Sequence, residues 1–254
     1  MPDAFGPALD AALAVPGLGW LALTVFVAGA VRGFSGFGTA LVFMPVAALF
    51  VPPVWALVTL ALMDVFGPLP NLPRAFRTAD RPDLARLLVT TLVGLPLGLM
   101  VLTAVSADVF RIAVSVLTFA MLAILIGGLR YPGRLGPGLV MGTGGLAGFL
   151  GGAAGLPGPP VILLYMASPN PAPVVRASIM AYLFLFDMLL LIFLALRGEM
   201  TGAPVALGLM MALPNLAGNL VGALIFRPGL EKAYRATAYT IIAGSALMGL
   251  PVWG

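Results

Sequence analysis

Histidine and cysteine are both missing from the 254 residues. Without histidine, the commonest metal ligand and the usual general base are gone. Without cysteine there is no disulfide framework and no thiolate site. Together the two absences exclude Ser–His and Cys–His chemistry. A Gly-rich loop ending in Gly-Lys-Ser or Gly-Lys-Thr is lacking too, so no built-in ATPase is expected. Charge is scarce: Asp, Glu, Lys and Arg make up 9% of the chain, against 61% hydrophobic residues. A soluble domain covers its surface with far more charge. The expected class is therefore an all-α polytopic membrane protein, one membrane domain over residues 1–254, with no cofactor and no metal site. The formal net charge of +4 reports cytoplasmic loop arginines rather than nucleic-acid binding. Met1–Pro16 carries two acids and no Lys or Arg. It lacks the basic start of a cleaved secretory signal, so the first hydrophobic segment is expected to be retained.

Charge-free stretches locate the spans. Single spans are expected at Ala11–Val31, Leu87–Ala107, Ile112–Leu129, Ala177–Leu196, Met200–Phe226 and Ala236–Gly254. Two stretches are too long for one helix of about 20 residues. Gly33–Met63 is uncharged up to Asp64 and then continues to Pro73, and Leu135–Val175 is uncharged throughout. Both are broken. The first carries Gly33-Phe34-Ser35-Gly36-Phe37-Gly38 and then Pro45. The second crowds glycines from Gly142 to Gly158, with Pro157, Pro159 and Pro160 at its end. Proline removes a backbone donor and glycine weakens a helix. Groups freed at membrane depth must be satisfied by protein or by a wet cavity. Each stretch therefore reads as two half-helices with an irregular tip. Helix packing by small residues is the plainer alternative for pairs such as Gly144/Gly148.

The halves align. Gly33-Phe34-x-Gly36 matches Gly148-Phe149-x-Gly151, and Pro45 matches Pro160, at a common offset of 115. Leu95-Pro96 resembles Leu213-Pro214, and Phe110-Arg111 resembles Tyr234-Arg235. Residues 11–130 and 135–254 then form two repeats, each a broken element followed by three helices. If each broken element crossed the membrane once, the halves would be parallel, with seven basic residues inside and five outside. If each returned to its own side, the halves would be inverted. Arg74, Arg77, Arg81, Arg86, Arg130, Arg134, Arg176, Arg227, Lys232 and Arg235 would lie inside, and only Arg111 and Arg197 outside. The positive-inside rule favours inversion, with both termini outside.

The paired breaks Gly33–Pro45 and Gly148–Pro160 resemble the TauE/SafE family of sulfite-exporter-like permeases. So does the basic loop Arg74–Arg86 followed by the Gly/Pro-bearing helix Thr91–Leu102. The resemblance covers nearly the whole chain. It implies a permease for sulfite, organosulfonates, thiosulfate or other small organic anions. The first break, Phe34-Ser35-Gly36-Phe37-Gly38-Thr39, is bulkier than the denser glycine run associated with the family, which leaves the size and identity of the anion open. Composition and resemblance together point to a bacterial cell inner membrane. The expected partners are a small anion and the lipid bilayer, with no nucleic acid; association into a homo-oligomer stays open.

The half-helices after the breaks begin near Gly38 and Gly158. Their free N–H groups and positive dipole ends would point into the protein, where two such ends make an anion site without a fixed charge. The substrate site is expected at Arg32, Gly33, Ser35, Gly36, Gly38, Thr39, Gly151, Gly152, Gly155 and Gly158. Arg32 either pairs with the anion or snorkels to the interface. Asp64 and Asp187 are the two acids inside apolar runs. Each is a candidate for proton or ion coupling, or a structural partner for Arg32. Arg176 either faces the cavity or anchors the cytoplasmic side. Asn215 and Asn219, at i and i+4, share a helix face and either line the path or join helices. Two other readings compete: a cation-coupled transporter built on the aspartates, and an intramembrane aspartyl enzyme using them as a dyad. A membrane subunit that only docks partners would leave the paired breaks without a purpose.

Overall fold

The computed structural model describes residues 5–127, 136–166, 168–227 and 229–251. All regular structure in them is helical. In chain order the α-helices are α1 (Phe5–Leu13), α2 (Leu18–Ser35), α3 (Thr39–Ala47), α4 (Pro53–Val65), α5 (Leu72–Thr78), α6 (Arg81–Ala104), α7 (Ala107–Gly127), α8 (Pro137–Ala154), α9 (Gly158–Met166), α10 (Ala172–Leu196), α11 (Gly202–Ile225) and α12 (Glu231–Gly249). Helices α2, α6, α7, α10 and α11 are each long and apolar enough to cross a bilayer. Helices α4 and α5, joined through a 3₁₀ turn at Leu69–Asn71 and bent by 49°, make a sixth crossing if taken together. At about 1.5 Å per residue, the 24 residues of α6 exceed a hydrocarbon core of about 30 Å.

The expected spans Leu87–Ala107, Ile112–Leu129, Ala177–Leu196 and Met200–Phe226 fall on α6, α7, α10 and α11 with shifted ends, whereas α12, over the expected Ala236–Gly254, is not among the helices apolar enough to cross; residues 128, 129 and 252–254 lie outside the described residues. Ala11–Val31 is not one helix: α1 stops at Leu13, the chain turns at Gly17, and α2 runs on through Arg32 to Ser35. A β-carbon at Gly17 would strike the Phe50 ring. Helix α10 begins five residues before the expected Ala177 and so includes Arg176. Helix α6 starts at Arg81, inside the basic segment, because Asp80 caps it: its carboxylate accepts from the Asp83 N–H at 3.3 Å. The other Asp80 oxygen accepts from the Asn170 amide at 3.3 Å, and the Asp80 N–H donates to the Ser178 hydroxyl at 2.9 Å. The start of α6 is thereby pinned to the start of α10. Arg130 and Arg134 lie outside the described residues.

Both expected breaks are present. Helix α2 ends at Gly36, whose φ of 82° is left-handed, and α8 ends at Gly155, with φ of 71°. Only glycine takes that conformation without a side-chain penalty. The Gly36 N–H donates to the Arg32 carbonyl at 2.7 Å, and the Gly155 N–H to the Gly151 carbonyl at 2.9 Å. Of the prolines expected to mark the breaks, Pro157 lies in the second one. Pro45 lies inside α3, whereas Pro160 is in the first turn of α9.

The left-handed glycines of the two breaks, Gly36 and Gly155, lie 119 residues apart, one helical turn from the offset of 115 at which the sequence aligns. Helix packing shows the same spacing. Gly29 and Gly33 of α2 abut Asn215 and Asn219 of α11, while Gly148 and Gly152 of α8 abut Thr91 and Leu95 of α6. Gly218 and Gly222 reach back to Phe26 and Ala30, as Gly94 and Gly98 reach back to Gly145 and Phe149. The second set lies 124 residues apart, against the 118 that separates Leu95-Pro96 from Leu213-Pro214. In each pair a β-carbon on either glycine would collide with the partner's backbone. The contacts advance in the same direction on both helices, so α2 runs parallel to α11 and α8 runs parallel to α6. The exchange is reciprocal: the first half of the chain lends α6 to α8, and the second lends α11 to α2.

Replacing Gly98 or Gly222 by valine should lower the melting temperature in detergent by at least the equivalent of about 1–3 kcal/mol of overpacking. Gly142→Ala has open space around its β-carbon and should be neutral or stabilising by up to about 1 kcal/mol. Thermal unfolding followed by tryptophan fluorescence separates the two classes.

Candidate functional site

A break at membrane depth frees backbone groups that lipid cannot satisfy. Here residues of both breaks line a cavity of about 50 Å³, room for only a few water-sized atoms, with the second break buried and Gly36 of the first exposed. From the first half it is lined by Arg32, Gly36, Phe37, Gly38, Thr39, Ala40, Leu41, Leu60 and Asp64. The second half supplies Gly155, Pro157, Gly158, Pro159, Ile162, Leu183, Phe186 and Asp187. Most of this wall is apolar. Its ionisable side chains are Arg32, Asp64 and Asp187, and Thr39 adds a hydroxyl.

Arg32 does not snorkel. It sits four residues before the left-handed turn, so α2 carries its guanidinium into the cavity. Nη1 lies 2.6 Å from Oδ2 of Asp64, with the two side chains 16% and 11% exposed. The same Nη1 is 3.5 Å from the Thr39 hydroxyl, a long contact. Asp64 is held from its other side: Asn215 of α11 donates through Nδ2 to Oδ1 at 3.1 Å and to the Met63 carbonyl at 2.9 Å. Asn215 therefore joins helices, and its own Oδ1 is buried with no partner among the described residues. Asp187, buried on α10, lies in the field of both Arg32 and Asp64. Among the described residues it has no hydrogen-bonded or ion-paired partner.

The first turn of α3 supplies further donors. The N–H groups of Thr39, Ala40 and Leu41 precede the first intrahelical bond, which runs from Val42 to the Gly38 carbonyl at 3.0 Å. All three residues line the cavity. The matching turn of α9 is Gly158-Pro159-Pro160, and its two prolines have no N–H to offer. The two helix ends are thus unequal: α3 presents donors and α9 presents proline rings.

Of the residues expected at the site, Arg32, Gly36, Gly38, Thr39, Gly155, Gly158, Asp64 and Asp187 come together on this cavity. Gly33, Ser35, Gly151 and Gly152 do not line it. Gly33 and Gly152 are the close-packing glycines against α11 and α6, and Gly151 makes room for the Phe186 ring. Ser35 stitches the turn, its hydroxyl 2.6 Å from the Val31 carbonyl and accepting from the Phe37 N–H at 3.3 Å. Arg176 is exposed near the start of α10, away from the cavity. Asn219 lends its backbone to the Gly33 contact. Sequence reasoning missed the apolar wall, Phe37, Leu60, Ile162, Leu183 and Phe186, which no polar motif marks. It also missed the hydroxyl pair of Thr91 and Tyr182, 2.9 Å apart, which ties α6 to α10.

The family model described as Sulfite exporter TauE/SafE matches residues 21–249. No curated protein and no solved structure matches the chain.

Asp64→Leu should strand the buried guanidinium and cost about 3–5 kcal/mol. The double variant Arg32→Met/Asp64→Leu removes both charges and should recover most of that loss. Melting temperatures of the two purified proteins check the pairing.

Proposed function

The chain belongs to the sulfite exporter TauE/SafE family, and from that premise we propose that it is a secondary permease carrying one small anion through the cavity between its two breaks. Membership makes it an integral membrane transporter. The choice of anion and the place where it binds are our reading. The observation that carries it is Arg32, a guanidinium held at the cavity beside the donor-rich first turn of α3. An arginine fork matches a sulfonate, sulfite or carboxylate. The free N–H groups of Thr39, Ala40 and Leu41, with the positive end of the α3 dipole, add to the attraction. The small volume favours an anion of sulfite or short organosulfonate size. The two acids at the same cavity favour coupling to a cation, which keeps a cation-coupled transporter of another class as the second reading.

Alternating access follows from the same reading if each broken element is re-entrant and the halves are inverted. Direction supports this. Helix α10 runs parallel to α6, from Asp80 beside Ser178 to Thr103 beside Arg197. Helix α8 also runs parallel to α6, yet Tyr165 near the end of α9 lies beside Ser178 and Asp83, back at the start of α6. The second broken element thus returns to the side it came from. The start of α6 is then the arginine-rich cytoplasmic side, and a bacterial inner membrane is the simplest setting.

Purified protein should be stabilised by small anions, by about 2.7 kcal/mol at a hundredfold excess over Kd. Arg32→Gln should abolish both the shift and uptake into proteoliposomes. Thr39→Val should weaken binding about 10- to 100-fold, the loss of one hydrogen bond to a charged group. Anion-dependent stabilisation that persists in Arg32→Gln would refute the assignment. Stabilisation by cations alone would move the reading to the second one.

A further inference from the structure

Arg32 is already occupied. Its closest partner is Asp64, in the position where a substrate oxyanion would be expected. Resting on the anion-permease reading, we propose that Asp64 is a resident stand-in for the substrate: the incoming anion replaces it on Arg32, and Asp64 takes up one proton as it lets go.

Charge balance drives the exchange. One guanidinium cannot neutralise a carboxylate and a substrate anion together, and an uncompensated charge at this depth costs several kcal/mol. A proton on Asp64 removes that cost. The step balances: one proton from water on the open side adds to one carboxylate oxygen, and one anion enters. On the other side the anion leaves, Asp64 loses the proton and re-pairs with Arg32. A monovalent anion and one proton then cross together, with no net charge moved.

Asn215 fits both states of Asp64. In the paired state its Nδ2 donates to Oδ1 of the carboxylate. Its own Oδ1 is buried without a partner among the described residues, and the residue is 2% exposed. A carboxylic acid needs an acceptor, and rotation of the amide about its last bond presents one. A permanent ion pair would leave that acceptor unused. The ionisable groups around Asp64 are Arg32 from α2 and Asp187 from α10. Helices α3 and α11 contain no charged residue, and those of α6 are confined to its first two turns. Asp187 is the other carboxyl able to hold the proton, so the test separates the two.

The measurement uses the full chain in proteoliposomes with radiolabelled methanesulfonate, which stays ionised throughout the assay range, so any proton moved is carried by the protein. Exchange of labelled for unlabelled anion reads the permease itself; no exchange overturns the reading on which this inference rests. With exchange established, a gradient of one pH unit should sustain about a tenfold accumulation, and a membrane potential should not change it. A pH dye inside the vesicles should record one proton per anion without any variant. Asp64→Asn should lose the dependence on the pH gradient at whatever rate it still exchanges, while Asp187→Asn should keep it. Accumulation driven by membrane potential and blind to pH would overturn the proposal, as would gradient-driven accumulation that survives Asp64→Asn.

Discussion

Backbone-to-backbone contact between parallel helices is the constraint on which the rest depends. Lipid offers helices no hydrophobic drive to associate, so close packing must hold them. In this chain glycine supplies it twice. Gly29, Gly33, Gly218 and Gly222 seat α2 on α11, and Gly94, Gly98, Gly148 and Gly152 seat α8 on α6. Because each pair joins one half of the chain to the other, the contacts also bring the tips of the two breaks together. The irregular backbone at Gly155–Pro157 is then buried in protein, whereas at the first break Gly36 stays exposed.

The two halves are alike in backbone and unlike in chemistry. Arg32 and Gly151 each lie four residues before the left-handed glycine of their break, so the second break has no guanidinium in that place. Asn215 on α11 corresponds to Thr91 on α6. The first grips Asp64 beside the cavity; the second closes a neutral hydroxyl pair with Tyr182. The prolines at the start of α9 continue the asymmetry, leaving the donor-rich helix end to α3. The first half thus supplies Arg32, Asp64 and the donor-rich helix end, while the second supplies most of the apolar wall, the Asn215 amide beside Asp64, and Asp187, which has no partner among the described residues.

Much of this was legible in the sequence. Scarce charge marked the membrane class, and apolar runs bounded by arginines located most spans. The breaks were found from glycine and proline crowding, and the residues gathered there include eight of the twelve expected at the site. Two things were not legible. The sequence offset of 115 differs by one turn from the 119-residue spacing of the breaks because glycines recur every four residues on both elements, so Gly33 fits Gly148 as readily as it fits Gly152. Separating lining glycines from packing glycines needed the neighbouring helix, since Gly33 and Gly152 differ from Gly36 and Gly155 only in what lies opposite. The pairs Gly94/Gly98 and Gly218/Gly222 carried the small-x-x-x-small signal that would have exposed the packing.

The most direct test is an experimental structure of the protein with a saturating monovalent sulfonate. The account predicts the sulfonate on the Arg32 guanidinium, within hydrogen-bond distance of the first-turn N–H groups of α3, with Asp64 released from Arg32 and still beside Asn215. A sulfonate bound away from the two breaks, with the Arg32–Asp64 pair intact, would contradict it.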